Sequence, residues 1–502
     1  MRKKLALFLC IILTVSVFAG CTGGGDNPEF VSGNKKDSLV YVQNSLNTFN
    51  PYEMTTVNDM RIRAQLFDPL VNYRDKVEEM RLAESYTVSD DGLDYTFKIR
   101  DGVKFHNGAE MTMDDVVFSW ETAKASSFMS SYMEMVDSFE ALDDSTFVIH
   151  LNKPYGPFIS ASVYNVAIVN KDQFTSSDPA QDPCGTGAYK FVSYDEGQHL
   201  ILEAFEDYFR GVPKIKNLVF EIITEPASAL MALESSEVDI VEVPTSDWDR
   251  VISNDNFETT TITANGLHFL AFNLFLEGDS PFKDPKVRQA CAYAINREDT
   301  ILMALNGLAK EAKTVGNPDY MFGATEENCV IYEHDVEKAK ALLTEAGYPD
   351  GVDLGEIATT ADEADVVNSI KGFLAEAGIN VTINIQDNTA FFDDWDNCNY
   401  NMLVSGLSFG SDFNDWSYAF TTGAWLNQFG YQNEALDKKF ADAVATPVES
   451  ERLALYSEIN AELQENMPII PLYFKTLYYA YPKGLHFPYS VTRFEFFDAY
   501  WE

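Results

Sequence analysis

Positive charge is scarce in this chain. Against 78 acidic residues stand 36 basic ones, a formal net charge of −42 over 502 residues. A field of that sign repels phosphate backbones and anionic headgroups, so nucleic acid is excluded as a partner. Cysteine and histidine are few as well, six of each. The cysteines form no CxxC, and His106, His150, His199, His268, His334 and His486 include no pair three or four residues apart. Those gaps remove the usual zinc spacings and the HExxH helix of a metalloprotease. Acidic runs such as Asp393-Asp394-Trp395-Asp396 lack the glycine and spacing of a calcium loop. No G-x-x-x-x-G-K-[ST] stretch occurs, so any ATP hydrolysis belongs to a separate chain. The expectation is a protein with no cofactor and no resident metal.

Long apolar runs are missing too, apart from one at the start. Arg2, Lys3 and Lys4 precede an apolar run over 5–20, shorter than the roughly 20 residues a membrane span needs. It closes in Phe18-Ala19-Gly20-Cys21, followed by Thr22-Gly23-Gly24-Gly25. A basic start, an apolar middle and small residues before the cut are the parts of an export signal. The terminal cysteine resembles a bacterial lipobox, whose thiol receives a diacylglyceryl group and becomes the mature N-terminus. Residues 1–20 are therefore assigned as a lipoprotein signal peptide and Cys21 as the lipidation site; a plain secretory signal is the alternative. Residues 21–37, rich in Gly, Asn, Lys and Asp, form a flexible tether. The mature protein is expected outside the cytoplasm, anchored to the cell membrane. There Cys184, Cys291, Cys329 and Cys398 allow one or two disulfides, whose pairing the spacing leaves open.

What remains is a large globular body. Its 46% hydrophobic content supports big cores, and its length allows two or three domains at about 150 residues each. Short strands alternate with helices. Strands are predicted at 38–43, 95–99, 146–151, 189–193, 200–204, 379–385, 401–405 and 469–474. Thr112 caps a helix with Met113, Val116, Val117 and Trp120 on one face. Asp284 caps another, with Pro285 in its first turn and Val287, Ala290, Cys291, Ala294 and Ile295 as its stripe. Further helices are predicted at 335–346, 362–377, 434–445 and 449–466. The class is α/β with several sheets.

One stretch is unusually specific. DYTFKIRDGVKFHNGAEMTMDDVVFSW, residues 94–120, reads as a strand, an Asp101-Gly102 turn, a second strand, an Asn107-Gly108 turn and the capped helix. It closely resembles the signature of the family 5 extracellular solute-binding proteins, the peptide, oligosaccharide and nickel receptors of ABC importers. Further blocks keep the family's order: NTFNPY (47–52), LFDPLV (66–71), GTGAYKF (185–191), LHFLAFN (267–273), PFKDPKVRQACAYAINRE (281–298), KAKALLTEAGY (338–348), MPIIPLY (467–473) and KGLHF (483–487). That resemblance implies a two-lobed periplasmic-binding-protein-like fold with an extra subdomain in lobe one. Lobe one would hold 38–268 plus 483–502, with the extra subdomain at about 58–180, and lobe two 274–480. The expected function is capture of a di- or oligopeptide between closing lobes by a non-enzymatic monomer, for delivery to ABC permease subunits served by a separate ATPase. An oligosaccharide or a metal chelate is the alternative ligand.

Site residues follow from the same resemblance. Asp412, in Asp412-Phe-Asn-Asp415-Trp416, matches the segment in which peptide receptors place an aspartate on the ligand's ammonium, a charge-assisted hydrogen bond. Thr55 and Val57 match positions where an extended segment pairs with ligand backbone. Asn388 aligns with a cleft position that is aromatic in some relatives. Phe391, Phe392, Trp395, Phe409, Trp416 and Trp425 are candidates to line the cleft. One rival lies in the same region: Gly406-Leu407-Ser408-Phe409-Gly410 matches G-x-S-x-G, which presents a serine nucleophile in α/β-hydrolases. The only histidine downstream is His486, within KGLHF, so a serine hydrolase using Ser408 is the weaker reading.

Overall fold

The computed structural model describes residues 35–74, 77–317, 319, 322–408, 412–487 and 495–502. The signal peptide and Cys21 lie outside these residues. The last three residues of the expected tether do not: Lys35–Asp37 form a short 3-10 helix, and the Asp37 carbonyl accepts from the Lys216 amide at 2.7 Å. Among the described residues no helix is long and apolar enough to cross a membrane, and all four remaining cysteines are free.

Two four-stranded sheets and one seven-stranded sheet organise the chain. The first sheet runs Ser38–Gln43, Asn217–Ile222, His199–Ala204 and Tyr189–Asp195, with its first pair parallel. The second, Ala83–Val88, Asp94–Ile99, Thr146–Leu151 and Val136–Asp143, is antiparallel throughout. Here the signature stretch differs from its local reading. Asp94–Ile99 does not pair with 103–105, because the preceding strand Ala83–Val88 and the distant Thr146–Leu151 occupy its two edges. The second arm is reduced to a single bridge between Lys104 and Glu110, with Val103 and Phe105 buried. Both turns form, with Gly102 and Gly108 at φ of 69° and 85°, where a side chain would be strained. Thr112 caps Met113–Ala125 as expected, its amide donating to Asp115 Oδ2 at 2.9 Å.

Motifs far apart in sequence meet in this half. Gly187 donates its amide to the Leu66 carbonyl at 3.0 Å, and a Cβ at Gly185 would lie 2.1 Å from that same oxygen. LFDPLV and GTGAYKF are thus two sides of one backbone contact. Asp68 sits within it, accepting from Thr186 Oγ1 and Tyr208 at 3.1 Å each. Buried Arg81 lies 3.4 Å from Asp68 and also pairs with Glu79 and Glu495, each at 2.7 Å. This ties the C-terminal segment to the N-terminal half.

The seven-stranded sheet holds the molecule together. Its order is Val241–Glu242, Ile469–Pro482, Phe257–Phe272, Met402–Ser408, Val352–Thr360 and Ile379–Gln386, with Ala309–Glu311 also on Ile469–Pro482. The two long strands are antiparallel from Phe257 opposite Pro482 to Ala271 opposite Ile469, with register shifts after Thr263 and His268. Packing changes across the first shift. Ile262 joins the core of Leu39, Tyr41 and Phe220. Leu267, Phe269 and Ala271 join Phe391, Trp395 and Tyr456, whereas Leu270 and Phe272 join Val287, Ala290 and Ile370. On the partner strand Phe474 packs in the second group, while Tyr478 and Ala480 pack with Val42, Leu230 and Val241. One pair of strands therefore belongs to cores on both sides.

Candidate functional site

Asp412 is positioned by three elements. Its backbone bridges Phe322 in parallel, and the Phe413 amide donates to the Phe322 carbonyl at 3.1 Å. Its side chain caps the 3-10 helix Phe413–Trp416, Oδ1 accepting from the Asn414 amide at 2.9 Å. The same Oδ1 accepts from Tyr456 Oη at 2.5 Å, reaching in from the helix Glu449–Asn466. Asp412 is only 6% exposed, yet among the described residues Oδ2 has no hydrogen-bond partner, and neither has the buried Oδ1 of Asn414. Burial raises the Asp412 pKa; Arg452 and the bonds from Tyr456 and Asn414 pull it back. The Arg452 guanidinium faces the other way, donating through Nη1 to the Thr446 carbonyl at 3.2 Å. A buried carboxylate oxygen without a donor costs on the order of 1–3 kcal/mol or more. Two unfilled acceptors, two residues apart in sequence, are chemically suited to an ammonium group, which brings three donors.

The N-terminal half supplies the opposite wall. Gly156 donates its amide to the Val444 carbonyl at 2.6 Å, seating the loop after Thr146–Leu151 against the end of the helix Glu434–Ala445. The neighbouring Tyr155 hydroxyl is held above its ordinary range by burial, then by Asp412, Asp415 and Tyr418. A Cβ at Gly156 would lie 2.1 Å from the Thr446 carbonyl and 2.9 Å from Arg452 Nη1. Gly156→Ala is therefore expected to force this loop off its seat. We expect it to destabilise the fold by about 1–3 kcal/mol, as overpacking does, measured by urea unfolding, and to weaken ligand binding as Tyr155 moves.

The other expected site residues fall differently. Thr55 is exposed, and Val57, 70% exposed, opens the helix Val57–Leu66. Thr56 caps that helix through the Asp59 amide at 3.2 Å, so the extended segment expected at Thr55 and Val57 ends before Val57. Asn388 is an exposed first-turn residue of Asn388–Asp396, a helix capped by Asp387. Trp416 is buried, its ring stacked on Phe420 at 5.6 Å, a packing role that its position in sequence could not separate from a cleft role. Phe391 and Trp395 are likewise core, while Phe392 is half-exposed and Trp425 is 71% exposed. Phe409 lies outside the described residues. Among the described residues no hydrogen bond joins Thr55, Val57 or Asn388 to Asp412.

Ser408 is the last residue of Met402–Ser408 and pairs with Gly266, so it belongs to a ladder rather than to a sharp turn. Among the described residues its hydroxyl bonds to no histidine. His486 lies in the small sheet with Tyr500, and His268, opposite Gly406, gives Nδ1 to Glu363 at 2.8 Å while stacking on Tyr473. Tyr456, Asn414, Arg452 and Tyr155 were not legible as site residues. Tyr456 sits on a helix face that reads as ordinary core.

The model of the family described as bacterial extracellular solute-binding proteins, family 5, middle, matches residues 79–427. The oligopeptide-binding protein AppA of Bacillus subtilis is 26% identical over 523 residues, covering 96% of each chain. Among solved structures, the ABC transporter substrate-binding protein CtaP of Listeria monocytogenes superposes with a TM-score of 0.80 at 25% identity, covering 92% of this chain and 99% of its own. The periplasmic binding protein DppA of Helicobacter pylori, solved with the peptide STSA, gives 0.69 at 26% identity, covering 93% and 98%. The match spans the helices, the sheets and the segment carrying Asp412, and with it the chain belongs to the family 5 bacterial extracellular solute-binding proteins.

Proposed function

We propose that this chain is the peptide receptor of an ABC importer, capturing a di- or oligopeptide with a free amino terminus between two lobes. The observation that carries this reading is the buried Asp412, with one carboxylate oxygen bonded and the other, among the described residues, without a donor. The peptide-binding names of AppA and of the STSA-bound DppA support the same ligand class. Lobe one would comprise residues from 38 to about 262 together with the segment from about 478. Lobe two would run from about 267 to 474, and the two long strands would cross between them where the packing changes. Ligand that touches both walls only on closure favours the closed state, and closure forms the surface a permease reads. Lipid on Cys21 would hold the receptor at the membrane as a monomer, and a separate ATPase would drive transport.

Native mass spectrometry of the purified, unlipidated protein, followed by denaturing release, tests this reading. Short peptides of mixed sequence are the expected result. Sugars or a metal chelate in the cleft would overturn it. Labelling of Ser408 by a fluorophosphonate would instead favour the hydrolase reading.

A further inference from the structure

The backbone partner of Asp412 reaches into the first half of the molecule. Phe322, which bridges Asp412, is 1% exposed and belongs to the core that holds Leu39, Tyr41 and Phe220. Its ring meets Tyr73, on the strand Val71–Arg74, edge to face at 5.2 Å and 87°. Tyr73 is fixed in turn, its hydroxyl donating to Glu78 Oε2 at 3.1 Å. The chain on either side of Phe322 is held from the second half. Ala312 donates its amide to the Leu472 carbonyl at 3.1 Å. Asn460, on the helix Glu449–Asn466, accepts from the Gly316 amide at 3.2 Å and donates to the Thr325 carbonyl at 2.9 Å. A Cβ at Gly316 would lie 2.8 Å from the Ala324 carbonyl oxygen, so the two arms are pressed together where Asn460 grips them. Asn460 and Tyr456 are four residues apart, on one face of their helix. That face holds both partners of the bridge, Tyr456 through Asp412 Oδ1 and Asn460 through the chain flanking Phe322.

A ring seated in one half and a backbone gripped in the other cannot both stay satisfied when the halves shift. Packing contacts weaken steeply once a small gap opens, so the ring's seat is either made or lost. The strain falls on the bridge, where the Phe413 amide bonds the Phe322 carbonyl at 3.1 Å and sets the backbone that carries Asp412. A hydrogen bond from an ammonium depends on distance and angle, so a displaced carboxylate binds it poorly. We propose that Phe322 is a positioning residue, which aims the Asp412 carboxylate at the ligand's amino group only while its own ring is seated beside Tyr73. The proposal rests on the peptide reading, with the amino terminus at Asp412. Recognition of the amine and the contact between the halves are then one event.

The test is calorimetric titration of the ligand-free, unlipidated protein with alanine peptides of two to five residues and with their N-acetylated forms. Phe322→Ala is expected to weaken binding of the free-amino peptides about tenfold and to leave the acetylated forms within about twofold. Tyr73→Leu, which removes the partner ring, should act in the same direction. Phe322→Leu keeps an apolar filling and protects the fold; it should lose less and show the same selectivity. In an Asp412→Asn background none of these substitutions should cost anything further, because no charge is left to aim. Equal losses for the two peptide forms, or losses that add to that of Asp412→Asn, would reduce Phe322 to packing and overturn the proposal while leaving the peptide reading intact. A wild type that does not distinguish the two forms would sink both.

Discussion

Asp412→Asn is expected to weaken binding of a peptide with a free amino terminus by about 2–5 kcal/mol, the usual loss when one partner of a desolvated charge pair is removed. Asparagine can keep Oδ1 as an acceptor for Tyr456 and for the Asn414 amide, so the cap and the fold should survive. What it removes is the charge, and it sets an amide NH2 where Oδ2 stood without a donor. Calorimetry with a peptide and its N-acetylated form separates the causes. The wild type should discriminate strongly between them and the variant hardly at all. Equal loss for both forms would mean that Asp412 acts only as a cap. The pH profile gives an independent check. Because burial raises the Asp412 pKa, the carboxylate takes up its proton at a higher pH than an exposed aspartate would. Affinity for the free amine should therefore fall on mild acidification, and the variant should lose that dependence.

The second large effect concerns stability. Arg81→Met is expected to cost about 3–5 kcal/mol in urea unfolding, because it takes the cation from buried Asp68 and from partly buried Glu495, while Glu79 keeps its pair with Arg210. Loss of the Glu495 pair also releases the C-terminal segment from the first half. A shift below about 1 kcal/mol would show that the carboxylates can be satisfied without Arg81. Asp68 adds a pH signature. Burial pushes its pKa from 3.8 up to about 6 despite Arg81, so the folded state holds a proton that the unfolded state releases. Its contribution is thus fully present below about pH 4 and is lost as pH rises through about 6. The difference in stability between wild type and Asp68→Asn, followed across that window, reports this group alone. With Arg81 removed the dependence should steepen, since the guanidinium is what lowers the Asp68 pKa.

Interactions that close within a few residues were legible in the sequence. Thr112 and Asp284 could cap their helices whatever the rest of the chain did, and Met113–Ala125 and Pro285–Ala294 begin where those caps sit. The family blocks carried the two-lobed architecture, because each encodes a local turn or stripe and their order encodes the assembly. The strand Phe257–Phe272 was not legible, and Ile469–Pro482 was read as less than half its length. Each passes between cores on both sides of the molecule, so neither shows one clean alternation. The second strand expected within 94–108 shrinks to one bridge, since nothing inside the stretch reveals that Ala83–Val88 before it and the distant Thr146–Leu151 take both edges of Asp94–Ile99.

The site divides in the same way. The identity of Asp412 as a candidate came from the residues around it, but its chemistry depends on burial, on Tyr456, 44 positions away, and on Arg452. Val57 took its state from Thr56, a short-range cap that outweighed the extended reading. Trp416 and Trp425 are the same residue type nine positions apart; one is packed on Phe420 and the other stands in solvent beside Tyr418. Composition and local pattern determined charge, several helix ends and family. Tertiary structure alone decided which carboxylate is buried and which rings are packed or exposed, because burial is set by contacts between segments that the chain separates.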